Sequence, residues 1–136
     1  MSRVLGLDMG AARIGLAVSD QSRTLASGYG FIEFKGYKDF IEKITQIAAK
    51  EEIKEFVIGL PLNMSGTKGF QADKAERIAE MIRTEIKCPV NLMDERLTTV
   101  EAARQIHASG HKVKKGRIDE VAATIILQAF LDGKKS

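Results

Sequence analysis

The first strands of the chain alternate apolar with polar or small residues, and later segments return apolar residues at helical spacing. Residues 3–8 read as a strand, Val4-Leu5-Gly6-Leu7 running into Asp8. Residues 13–19 put Ile14, Leu16 and Val18 on one face and read as its hairpin partner. A third strand is expected at about 28–34, and Phe40, Ile44, Ile47 and Ala48 set a helix over about 37–50. Phe56-Val57-Ile58-Gly59-Leu60 is a short apolar strand stopped by Pro61. A polar loop, "PLNMSGTKG", leads to a long helix over about 70–87 with Ala75, Ile78, Ala79, Ile82 and Ile86 as its buried stripe. Val90-Asn91-Leu92-Met93 is a strand, and Thr98-Thr99-Val100-Glu101 has the form of a capping box opening a helix that stops at Gly110. The last helix covers about 118–131.

Three strands joined by short turns make an antiparallel meander. Two more, separated by helices, imply parallel crossovers. The expected architecture is an α/β domain, a mixed five-stranded sheet with helices on both faces. With no repeat or linker, residues 1–136 read as one domain.

This order concentrates carboxylates. Asp8 ends the first strand, Asp94-Glu95 ends the strand "VNLM", and "PLNMSGTKG" leaves the end of another. If those strands are parallel, all three features lie on the sheet edge where open α/β folds bind ligands. In the last helix Asp119 shares a face with Ala123, Ile126 and Phe130, so it points towards the sheet. Of Asp94 and Glu95, one must turn away, because strand neighbours face opposite sides; the outward one is expected to pair with Arg96 or a nearby base. Converging carboxylates repel, so either one takes up a proton or a cation sits between them. Oxygen ligands alone favour Mg²⁺ or Mn²⁺, and a pair of such ions is a known device for cutting phosphodiesters. Each residue also has a structural role open to it: Asp8 as a turn former, Asp119 as a complement to the helix dipole, the loop as a passive connection.

Charge bears on the ligand class. The net charge is +3, and from Ala102 to Ile118 there is no acidic residue, while Arg104, Lys112, Lys114, Lys115 and Arg117 fall there. This stretch reads either as a solvated loop or as a phosphate-contacting one, gripping a backbone through Lys112, Lys114, Lys115 and Arg117. Arg13, Asn63, Lys68 and Arg96 complete the set of nucleic-acid-binding candidates. The lone cysteine, Cys88, reads as a partly buried residue at a helix–strand junction, and a reducing cytoplasm is the expected location. No apolar run approaches the ~20 residues of a membrane span. There is no tryptophan, and Tyr29, Phe31 and Phe34 read as core, so base stacking is not a prominent resource.

"LGLDMGAARIGLAVSD", "IGLPLNMSGTKG", "DERLTTVEA" and "DEVAATIILQAFL" resemble, in order and spacing, the signature segments of the YqgF family. Its members are RNase H-like proteins, described as Holliday-junction resolvases and as nucleases maturing the 5′ end of 16S ribosomal RNA. The resemblance runs from residue 3 to about residue 131. It implies the RNase H-like fold and three metal-binding acidic positions: Asp8, one of the "DER" carboxylates with Glu95 preferred and Asp94 in reserve, and Asp119. "DMGAAR" stands where many members carry a threonine and a lysine before the arginine, which loosens any role for a hydroxyl at Ala11.

The implied function is metal-dependent cleavage of structured nucleic acid, precursor 16S RNA first and a four-way DNA junction as the alternative. A resolvase would be a symmetric dimer; an RNA-processing nuclease can be a monomer and can work with ribosomal assembly factors. "DMGAARIG" also looks like the first phosphate-binding hairpin of sugar kinases and actin-like ATPases, but those need two such lobes and 136 residues hold one. A module that binds nucleic acid without cutting is the remaining class, and the carboxylates count against it.

Overall fold

Alternation along the first strand sorts its side chains onto two faces, and each face acquires its own helices. The computed structural model describes residues 2–60, 69–100, 102–104 and 116–133. Strands β1 (Arg3–Met9), β2 (Arg13–Ser19), β3 (Ala26–Glu33), β4 (Ile53–Leu60) and β5 (Val90–Asp94) form one five-stranded sheet in the order β3-β2-β1-β4-β5. β1 pairs antiparallel with β2 and β2 with β3; β1 pairs parallel with β4 and β4 with β5. The expected mixed sheet, meander plus two parallel strands, is therefore present.

Leu5, Leu7 and Met9 of β1 bury into one core with residues of α1 (Tyr37–Lys50) and α2 (Phe70–Met81), including Phe40, Ile44 and Ile78. Val4, Ala17 and Val57 bury into a second core against Ala123, Ile126 and Leu127 of α3 (Arg117–Gly133). Helices cover both faces. The parity of β1 puts Asp8 with Val4 and Gly6, on the α3 face.

Several boundaries differ from the sequence reading, each for a local reason. β4 begins at Ile53, before the apolar run, because Glu55 is satisfied in the sheet by Arg23 and Asn91. The helix expected to reach residue 87 closes instead as a π-helical turn, Ile82–Ile86. Lys87 then adopts a left-handed conformation, φ 62°, and donates its N–H to Ile82 at 2.9 Å. Thr98 does cap the next helical turn, accepting the Val100 N–H at 3.3 Å; Glu101, Gly110 and the loop "PLNMSGTK" lie outside the described residues. Phe31 is not core: it is 40% exposed, beside Gly116, whereas Tyr29 and Phe34 pack against the first core. Cys88 is partly buried between the π turn and β5, and burial raises its thiol pKa. Among the described residues no helix is long and apolar enough to cross a membrane.

Candidate active site

Asp8 is fully buried one residue before the end of β1. Its register partners are both glycines, Gly15 on β2 and Gly59 on β4. Their missing side chains open the α3 face on either side of the carboxylate. A Cβ at Gly15 would collide with the backbone carbonyl of Asp119. A Cβ at Gly59 would collide with Ile126 and stand 2.9 Å from Oε1 of Glu95. Close approach of neighbouring elements is what glycine permits at such positions.

The "DER" segment splits as strand alternation requires. β5 ends at Asp94, and a short 3₁₀ turn, Glu95–Leu97, follows. Asp94 turns outward and pairs with Arg96, accepting its backbone N–H at 2.9 Å and its Nη2 at 2.7 Å. The hydrogen bond from Arg96 holds the Asp94 carboxyl below the usual range. Glu95 turns inward, its side chain 10% exposed.

Asp119 enters from the first turn of α3. Burial, with the charge of Asp8 behind it, raises its pKa, against the pull of Arg13 and Arg104. Arg13 Nε donates to Asp119 Oδ2 at 3.3 Å. Arg13, read as a nucleic-acid contact, is thus engaged within the site.

The cation between these carboxylates is a guanidinium. Arg104 Nη2 donates to both oxygens of Asp8, at 2.8 and 2.9 Å, and its Nη1 lies 3.6 Å from Glu95 Oε2. Burial works against the Arg104 charge, but Asp8 and Glu95 outweigh it and hold the group more firmly protonated. Arg104 sits one helical turn after Val100, which is anchored in the α3-side core, and Ala103 N–H bonds to Thr99 at 3.0 Å. The sequence reading counted Arg104 in the acid-free basic stretch without assigning it a contact; the structure places it on the acids.

A second basic residue was missed entirely. Lys74 of α2 is 4% exposed. Its Nζ donates to the carbonyl of Gly10 at 3.0 Å and stands 3.8 Å above the ring of Phe34. It fastens the turn that follows Asp8 from the opposite side of the sheet, and burial lowers its pKa. The signal was legible: positions 74, 78 and 82 recur at i+4, so this lysine stands within an apolar stripe.

Arg117 is 63% exposed and lies 3.7 Å from Glu120 on its own helix. Asn63, Lys68, Lys112, Lys114 and Lys115 lie outside the described residues. Chemically, Asp8, Glu95 and Asp119 are an all-oxygen donor set, which fits a hard divalent cation. Among the described residues, however, no three acidic, histidine or cysteine groups stand as the shell of one ion. Arg104 is interposed where they converge.

The family model described as "RuvX: Holliday junction resolvase" matches residues 2–133. The chain belongs to the YqgF (RuvX) family. A relative from Caldanaerobacter subterraneus, named "Putative pre-16S rRNA nuclease", is 41% identical over 98% of this chain and 99% of its own length. One of the same name from Crocosphaera subtropica is 38% identical over 97% of this chain and 94% of its own. The YqgF chain shares its fold with a T. thermophilus RuvC solved in complex with Holliday junction substrate, at TM-score 0.64 and 12% identity, covering 99% and 96% of the two chains. The yeast mitochondrial Holliday junction resolvase Ydc2 superposes at TM-score 0.56 and 11% identity, over 96% of this chain and 78% of its own. The two relatives are nucleases by name, and the fold is the RNase H-like one that the resemblance implied.

Proposed function

We propose that this YqgF protein is a metal-dependent endonuclease of structured nucleic acid that processes the 5′ end of precursor 16S ribosomal RNA. The observation that carries the reading is the approach of Asp8, Glu95 and Asp119, from three separate elements, to one sheet edge around a shared guanidinium. The names of the relatives support the RNA as substrate.

In this reading Asp8, Glu95 and Asp119 are the catalytic residues and would hold Mg²⁺ or Mn²⁺, two ions in the usual device for this chemistry. Bound there, the ions would activate the attacking water and neutralise charge on the departing oxygen. The chain's own contribution is position. Asp8 is fixed within the sheet, Glu95 is aimed inward by its 3₁₀ turn, and Asp119 is steered by Arg13. In this reading Arg117, Lys112, Lys114 and Lys115 grip the phosphate backbone, and Asn63, Lys68 and Arg96 are further nucleic-acid contacts. In this reading the setting is the cytoplasm, and the protein acts as a monomer or homodimer alongside ribosomal assembly factors.

Resolution of four-way DNA junctions is the second reading, favoured by the description of the family model. It needs a symmetric pair of chains to cut two strands. The test is a cleavage panel in Mg²⁺ and in Mn²⁺: a precursor 16S fragment spanning the 5′ end, single-stranded RNA, duplex DNA and a four-way junction. Selective cutting of the precursor supports maturation. Symmetric cutting of the junction moves the assignment to a resolvase. Tight binding with no cutting of any substrate moves it to a non-catalytic module.

A further inference from the structure

We propose that Arg104 is the resident counter-cation of this site, a positioning residue that holds Asp8 and Glu95 in place and is displaced when a divalent cation binds. The inference rests on the metal-binding reading of the acids given above. It goes beyond that reading by assigning a competitor and an order of events.

Three observations carry it. Asp8 is completely buried, and both its oxygens accept from one nitrogen of Arg104. A carboxylate so buried needs a cation beside it to remain charged. The same guanidinium reaches Glu95, so one group spans two of the acids that a metal would also have to span. And Arg104 is itself 34% exposed, unlike Asp8, so it enters the site from the solvent side and has a way out.

A divalent cation ligated by Asp8 would need one of the oxygens now bonded to Nη2. It would also stand within a few ångströms of a full positive charge, in a site shielded from water. The two cations compete for the same carboxylates and repel each other, so binding of one drives out the other. The guanidinium maintains the spacing of the acids in the metal-free chain. Its presence also lowers apparent metal affinity by the fraction of time the acids are free of it.

The test measures metal binding directly, by the loss of the free Mn²⁺ signal in electron paramagnetic resonance, with no substrate present. Wild type, Arg104→Gln and Asp8→Asn are compared. If the acids are free of Arg104 less than about a tenth of the time, Arg104→Gln binds Mn²⁺ about tenfold tighter or more, while Asp8→Asn loses binding. Equal or weaker binding by Arg104→Gln, with wild type binding normally, overturns the exchange and leaves the metal site standing. Absence of binding by both wild type and Arg104→Gln overturns the metal site and the exchange together. Should Arg104→Gln fail to fold, the wild-type spectrum decides, with Arg104→Lys used for assignment alone. Its Arg104 Nε–H resonance, assigned by its disappearance in Arg104→Lys, is followed as Mg²⁺ is added. A shift towards rapid solvent exchange, saturating with the metal, is expected. An unchanged resonance at saturating Mg²⁺ overturns the proposal.

Discussion

Asp8 on β1 and Gly59 on β4 stand opposite each other in the parallel pairing, and the absent side chain at Gly59 is the space beside which the Glu95 carboxylate lies. Gly59→Ala would press a methyl against Ile126 and Glu95 at once. Overpacking of this kind costs about 1–3 kcal/mol. The expected outcome is a lower midpoint in urea and weaker Mn²⁺ binding, because Glu95 is pushed from its position. Wild-type values of both would mean that the glycine is incidental.

The division of labour in "DER" is testable by comparing neighbours. Asp94 is committed to Arg96 on the outer side, and Glu95 faces inward. Asp94→Asn should change kcat by less than about fivefold, the scale of an exposed ion pair. Glu95→Gln should lower it by more than about 100-fold, beyond what loss of a supporting contact gives. Steady-state kinetics on the preferred substrate decides, and a reversed order would exchange the two roles.

Lys74 fastens the turn after Asp8 through Gly10 and the Phe34 ring. Lys74→Met keeps the volume and removes both interactions, at an expected loss of roughly 1–2 kcal/mol. Chemical denaturation measures it. Lower kcat with unchanged KM would add that the lysine keeps the Asp8 turn in its working position.

Asp20 offers a pH test remote from the acids. The Ser22 hydroxyl at 2.7 Å and the N–H groups of Thr24 and Leu25 lower its pKa to about 2. Because the folded value is depressed, the stabilisation is present above the unfolded carboxylate range and disappears as pH falls through about 2. Asp20→Asn should therefore lower Tm at neutral pH, with the gap closing in strong acid. A gap constant with pH would show that the charge of Asp20 is not what holds this turn.

Much of this arrangement was readable before the structure. The period-2 pattern of Ile14, Leu16 and Val18 gave β2, and the spacing of Phe40, Ile44 and Ala48 gave α1 with the bounds observed. Asp8 and the inward Asp119 follow from strand ends and helix faces, which are local properties. The partner of Asp8 was not readable. Arg104 lies 96 residues away, and its reach depends on how the helical turn after Thr98 docks on the sheet. The sequence reading set a proton or a metal cation among the carboxylates, and did not consider that the chain brings a guanidinium of its own. The charge of Glu55 hid the start of β4, because its satisfaction by Arg23 and Asn91 is also non-local.

The central claim is that Asp8 belongs to a catalytic acid set. Its most direct test is cleavage of the precursor 16S fragment in Mg²⁺ by wild type and Asp8→Asn, with RNA binding and circular dichroism measured on the same samples. Asp8→Asn is expected to lose cutting while retaining its fold and RNA binding. Full cutting by a folded Asp8→Asn would contradict it.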